Sequence, residues 1–263
     1  MNKKSIATLP VSIRRQTPRV AIGGLLLMSI GLAAQAAPVV PKNAEEFEKA
    51  VKLTPNIDNG RKLYRVCVTC HGPEAWGTRD GAYPQIAGQL TSVTIKQLAD
   101  IRAGNRGNPI MRAFTSVRSL GGPQEIADVA GYIEQLPMTR DNGLGPDFDL
   151  ESGKTLYKDN CADCHGSHGE GDADKHIPLI QGQHYHYLFR QFEQIRHGIR
   201  RNADPDMVDQ IRSFRLRDQV DVLSYTSRLK PPEEKLAPPG WRNPDFPFYR
   251  RGWRPEPLPQ SRH

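Results

Sequence analysis

The sequence predicts an all-α protein made of two tandem copies of one helical unit, followed by an irregular C-terminal extension. Three observations carry that expectation. Short stretches recur at an offset near 94 residues: IAGQ at 86–89 returns as IQGQ at 180–183, KQLADIRAG at 96–104 as RQFEQIRHG at 190–198, and GYIEQL at 131–136 as SYTSRL at 224–229. Apolar residues follow helical spacing, and no strand-length alternation stands out. All four cysteines fall in two copies of Cys-x-x-Cys-His, within YRVCVTCHG at 64–72 and YKDNCADCHG at 157–166.

Taken in order, residues 1–36 read as a secretory signal peptide rather than as part of the fold. Lys3, Lys4, Arg14, Arg15 and Arg19 precede an apolar run from Ala21 to Ala34, and Ala34-Gln35-Ala36 supplies a small-residue cleavage site. The run is short for a membrane span; retention as an uncleaved anchor is the alternative. Cleavage there removes five positive charges from the formal +7 and leaves +2. The basic balance therefore belongs largely to the leader and gives no case for nucleic acid as a partner. The mature chain divides into +3 over 37–140, −3 over 141–230 and +2 over 231–263. Such asymmetry either orients encounters with a partner or is scattered surface charge.

The first unit, 37–140, has a helix over Ile57 to Val66 leading into the cysteine motif and a middle helix marked by Ile95, Leu98 and Ile101 before Gly104. Its closing helix carries Ile126, Val129, Ala130 and Ile133 after Gly121-Gly122-Pro123. The segment 137–150 is rich in Pro, Gly and Asp and reads as a linker. The second unit, 141–230, repeats the plan with Tyr187, Phe192 and Ile195 in the middle helix and Val222, Leu223 and Leu229 in the last. Asn160 is one residue extra before its motif. Residues 231–263 hold nine prolines among aromatic and basic residues, a composition that builds no core of its own. They read either as a loosely wrapped tail or as a docking arm for a partner.

Cys-x-x-Cys-His is the attachment signature of c-type haem. Two thiols one helical turn apart add across the haem vinyl groups, and the next residue turns its imidazole toward the iron. Cys67, Cys70, Cys161 and Cys164 are then covalent attachment points for two haems, with His71 and His165 as axial ligands. The rival readings are local disulfides, favoured by an oxidising compartment, and a zinc site, which needs four tetrahedral ligands. A thioredoxin-like motif would need a βαβ context. Thirteen residues after each histidine stands a proline, Pro84 and Pro178, which reads either as a turn whose carbonyl fixes the imidazole or as a plain loop proline. For the sixth ligand, Met111 and Met207 occupy matching places two residues after Pro109 and Pro205, whereas Met138 lies in the linker. His168, His176, His184, His186 and His197 compete with Met207, or are surface and pocket-lining residues. Arg102, Arg106, Arg196 and Arg200 are candidates to pair with haem carboxylates, or are solvated helix ends.

The stretches CVTCHG, YPQIAGQ, KQLADIRAG and NPIM, followed by CADCHG, IPLIQGQHYHYL, RQFEQIRHGIR and DPDM, resemble the dihaem cytochromes c of the cytochrome c4 type over roughly 55–229. The resemblance implies two class I cytochrome c folds packed face to face. It pairs His71 with Met111 and His165 with Met207, and it implies periplasmic one-electron transfer between redox proteins. The donor would be a dehydrogenase or a quinol-oxidising complex, the acceptor a terminal oxidase, and any membrane association would come through that partner. Such a protein is a carrier and not an enzyme. Two rivals are a haem enzyme with one open iron acting on peroxide or a sulfur compound, and the cytochrome subunit of a larger dehydrogenase. The sequence departs from the type in the shortened turn after Met207 and in the long extension.

Overall fold

The computed structural model describes residues 44–249, so the segment 1–36 read as a signal peptide and the last residues of the extension lie outside the described residues. In the first unit α1 (Ala44–Ala50) precedes α2 (Ile57–Leu63), and a 3-10 turn (Tyr64–Val66) leads to α3 (Val68–His71). Then come α4 (Thr91–Ala103), α5 (Pro109–Thr115), α6 (Val117–Leu120) and α7 (Pro123–Gln135). The second unit holds α8 (Leu150–Asn160), α9 (Ala162–His165), α10 (Tyr185–Arg196), α11 (Pro205–Arg212) and α12 (Leu216–Thr226). The described residues contain isolated bridges but no strand. None of their helices is long and apolar enough to cross a membrane.

The repeat is visible in how the helices start. Asn56 accepts a hydrogen bond from the amide of Asn59 at 3.0 Å, and Asp149 from that of Ser152 at 2.9 Å. Asn108 and Asp204 cap α5 and α11, each followed by a proline at the first helical position. The one extra residue, Asn160, is absorbed as helix. Where the first unit tightens into a 3-10 turn before its motif, the second stays α-helical, and the Asn160 amide donates to Leu156 O at 2.9 Å. The shortened turn after Met207 leaves α6 without a counterpart.

In each unit the helix before the motif packs against the closing helix, α2 on α7 and α8 on α12. The contact is made at a glycine. A Cβ on Gly60 would stand 2.0 Å from Asp128 O, and one on Gly153 would stand 2.2 Å from Asp221 O. Around the first crossing lie Tyr64, Val68, Ile95, Ile126, Val129 and Ile133, all buried. Around the second lie Tyr157, Leu188, Phe192, Ile211 and Val222. A third, smaller cluster of Leu90, Val93, Met138 and Leu179 joins the two units, which makes Met138 a core residue.

Residues 231–249 are neither a loose tail nor a free arm. They run back from the second unit as a strap over the first. Met138 N–H donates to Lys235 O at 2.8 Å and Ala237 N–H to Met138 O at 2.9 Å. Farther on, Trp241 and Phe246 pack on the first core, and Asp245 accepts from Tyr132 at 2.9 Å.

Candidate haem-binding sites

Each cysteine motif forms a single turn. His71 N–H donates to Cys67 O at 2.9 Å, and His165 N–H donates to Cys161 O at 2.9 Å. The paired cysteines stand three apart on that turn and so share a face. Gly72 and Gly166 end the turns at φ 78° and 83°, in the left-handed half of the map that glycine adopts without strain. Tyr64 and Tyr157, one helical turn upstream, donate their hydroxyls to Gly72 O and Gly166 O, both at 2.7 Å. None of the four cysteines is joined to another, so the local disulfides are not formed. Among the described residues no group of three or more His, Cys, Asp or Glu side chains gathers to hold a bare metal ion, which removes the support for a zinc site.

Both histidines are buried and held by the same carbonyls that the spacing suggests. Nδ1 of His71 lies 3.0 Å from Pro84 O, and Nδ1 of His165 lies 3.0 Å from Pro178 O. Burial lowers both imidazoles below the ordinary histidine range; the carbonyl contact opposes this, and the nearby Arg106 lowers His71 further. A neutral ring that donates from Nδ1 keeps the lone pair on Nε2, which is the state an iron ligand requires. Burial also pushes the thiols of Cys67 and Cys161 up to about 12, with the second cysteine of each pair adding to the effect. A neutral imidazole beside two thiols on one turn fits a covalently held haem. A bare cation would lack the four ligands that a structural site needs.

Met111 and Met207 are each the third residue of a short helix, α5 and α11, and both are half-buried. Met207 packs against the second core. Of the five competing histidines, His168, His186 and His197 are exposed, and His176 packs its ring on Phe47. His184 is neither on the surface nor lining a pocket. It is 1 % exposed and bridges the two units, with Nδ1 accepting from Gly143 N–H at 2.9 Å and Nε2 donating to Trp76 O at 2.7 Å.

The four arginines separate into two classes. Arg102 pairs with Glu46 and donates to Gly121 O at 2.8 Å, while Arg196 donates to Phe214 O and Glu193 at 2.8 and 2.6 Å. These two fasten the turn before each closing helix. Arg106 and Arg200 instead meet across the units in an antiparallel bridge. Arg106 donates to Tyr187, Gln191 and Gln97 at 2.9, 2.9 and 3.1 Å, and Arg200 donates to Gln191 and Gln97 at 2.9 and 3.0 Å. These acceptors are all neutral oxygens. Burial and then Arg106 bring Arg200 down to about 10. Burial alone would raise the Tyr187 phenol, yet Arg106, Arg200 and Arg190 draw it down. The charge of Asp100 also acts on Arg200, and two half-buried guanidinium groups that share neutral acceptors can take a further anion.

Sequence reasoning missed the residues that join the units. Gln85 and Gln183 exchange hydrogen bonds, Gln183 Nε2 to Gln85 O at 2.7 Å and Gln85 N to Gln183 Oε1 at 3.1 Å. Gln89 likewise exchanges with the Leu179 backbone at 2.9 and 3.1 Å. The signal was present, since the recurring IAGQ and IQGQ stretches contain or adjoin these residues.

The Cytochrome c family model matches residues 57–137 and again 150–219. Cytochrome c4 of Azotobacter vinelandii is 28% identical over 186 residues, covering 65% of this chain and 87% of that protein. A protein of Stutzerimonas stutzeri (strain A1501) named thiosulfate dehydrogenase electron acceptor is 29% identical over 184 residues, covering 63% and 83%. The crystal structure of reduced recombinant cytochrome c4 from Pseudomonas stutzeri superposes with a TM-score of 0.60 at 25% identity, over 67% of this chain and all of that one. Duplicated motif, duplicated histidine geometry and duplicated family match agree: the chain belongs to the cytochrome c family, as a dihaem protein with two covalently bound c-type haems and built like cytochrome c4.

Proposed function

We propose that the protein is a periplasmic one-electron carrier between a respiratory donor and an acceptor such as a terminal oxidase. Its haem units would be 37–140 and 141–230, delivered by a cleaved leader at 1–36. The observation that carries this reading is the identical setting of His71 and His165, each with Nδ1 3.0 Å from a proline carbonyl. In this reading Cys67 and Cys70 hold one haem and Cys161 and Cys164 the other, through thioether bonds. His71 with Met111 would hold one iron, and His165 with Met207 the other. Bound haem supplies an iron that gains or loses one electron, and methionine as the second axial ligand raises its potential. The chain's residues do the rest. The proline carbonyls fix the imidazoles, and the methionines would complete each iron's ligand set and leave no site for a substrate. Arg106 and Arg200 would pair with the haem carboxylates. No proton needs to move.

The relative named as an electron acceptor of thiosulfate dehydrogenase supports a sulfur-compound dehydrogenase as the donor. The test is a spectroelectrochemical titration of the purified holoprotein, together with mixing against thiosulfate. Two one-electron waves and no turnover of thiosulfate by the protein alone are expected. Turnover without a second protein would instead make the chain an enzyme.

A further inference from the structure

The two units do not present equal surfaces around their cysteine motifs. In the first, residues 72–75 are buried directly behind His71, and the strap lies on them. Trp241 packs on Trp76 with ring centroids 5.8 Å apart, Asn243 donates its amide to Pro73 O at 2.7 Å, and Arg242 pairs with the buried Glu74 at 3.4 Å. Trp76 is also held from within, its indole donating to Pro137 O at 2.8 Å and its carbonyl accepting from His184.

The second unit carries the same turn without a cover. Matched residue for residue, Asp159 stands for Val66, Asp163 for Thr69, Ser167 for Pro73, His168 for Glu74 and Glu170 for Trp76. All five second-unit residues are exposed. The contacts that Ser167 and Glu170 make there are local: Ser167 Oγ to His168 Nδ1 at 2.9 Å, and Glu170 accepting from His168 N–H at 2.8 Å. Lys158 is the sole lysine or arginine from 158 to 170. The copies have thus diverged on this one face, with an apolar landing site where the strap sits and carboxylates where it does not. That a polypeptide segment occupies the face in one copy shows that its shape accepts one.

We propose that the Cys164 face of the second unit, bearing Asp159, Asp163 and Glu170, is the docking surface for a redox protein with a basic patch. The strap is the internal occupant of the equivalent face on the first unit. One electron crosses at this surface, the partner's centre being oxidised as this protein is reduced, or the reverse. The purpose rests on the electron-carrier reading above, while the surface itself does not. Carboxylates without an internal cation steer such an encounter over about a Debye length, ~10 Å at 0.1 M salt.

The test is amide chemical-shift mapping of the full-length holoprotein titrated with a lysine-rich single-haem cytochrome c as probe. Shifts concentrated on 158–170 are expected, with affinity falling about tenfold or more in D159N/D163N/E170Q compared at equal haem content. In W241A/N243A, which loosens the strap without shortening the chain, the shifts are expected to stay on 158–170, because Val66, Thr69 and Trp76 stand where the second unit has its three carboxylates. Shifts centred on the first unit of the unaltered protein, or unchanged affinity in the triple variant, would overturn the proposal. Stopped-flow mixing of the same pair separates the two readings. Binding at 158–170 without electron transfer leaves the docking surface standing and removes the carrier. Electron transfer with shifts elsewhere does the opposite.

Discussion

Replacing Cys161 and Cys164 together with alanine is expected to halve the covalently bound haem per chain and to melt the second unit. That unit is small, and its core of Tyr157, Leu188, Phe192, Ile211 and Val222 is built beside the motif. Domains of this size bury too little surface to be robust alone, and a group bound only by the folded state adds its binding energy to folding. Cys161 itself packs against that core, and its thiol is driven up to about 12 by burial. Without the cofactor that binding energy is lost, and alanine at 161 also removes a side chain that packs on the core. Haem quantified as its pyridine complex, and near-ultraviolet circular dichroism, measure the two effects. Full haem content in the variant would show that the cysteines are not the attachment points.

Gly60→Ala and Gly153→Ala are expected to destabilise the protein by similar amounts, although alanine is the better helix former. The propensity gain from glycine to alanine is about 0.5–1 kcal/mol. Against it stands a Cβ only 2.0 Å from Asp128 O in one unit and 2.2 Å from Asp221 O in the other. The nearest neighbours are backbone atoms, so the helices must separate and relax their packing along the whole crossing. Overpacking of this kind costs about 1–3 kcal/mol, occasionally more, and each net kcal/mol lowers the melting temperature of a domain this small by about 4–8 °C. Thermal unfolding of the holoprotein reads the change directly. A raised melting temperature in either variant would mean that the helices do not cross at that glycine.

What the sequence reveals and what it hides divide along physical lines. The cysteine motif is legible because the chemistry it serves fixes residues within one turn of helix. The helices are legible where Ile126, Val129 and Ile133 repeat every three or four residues on a buried face. Gly60 and Gly153 escape such a reading, because a glycine inside a helix looks like a breaker until a second helix is laid across it. His184 escapes for another reason. Its role depends on the Trp76 carbonyl, 108 residues away, and no local pattern marks that distance. The strap is the largest omission. Proline and aromatic residues without periodicity read as tail, yet Asn243 and Asp245 find the Pro73 carbonyl and Tyr132 hydroxyl on the first unit. Among the four arginines, spacing could not separate Arg102 and Arg196, which fasten turns, from Arg106 and Arg200, which meet between the units.

The central claim is that both irons carry one histidine and one methionine, which leaves the protein electrons to pass on and no substrate to bind. The absorption spectrum of the ferric holoprotein tests it most directly, through the weak sulfur-to-iron charge-transfer band measured per haem. Two equivalents are expected, one removed by Met111→Leu and the other by Met207→Leu. A single equivalent in the unaltered protein, or a high-spin component, would contradict the claim and place an open or differently ligated iron in one unit.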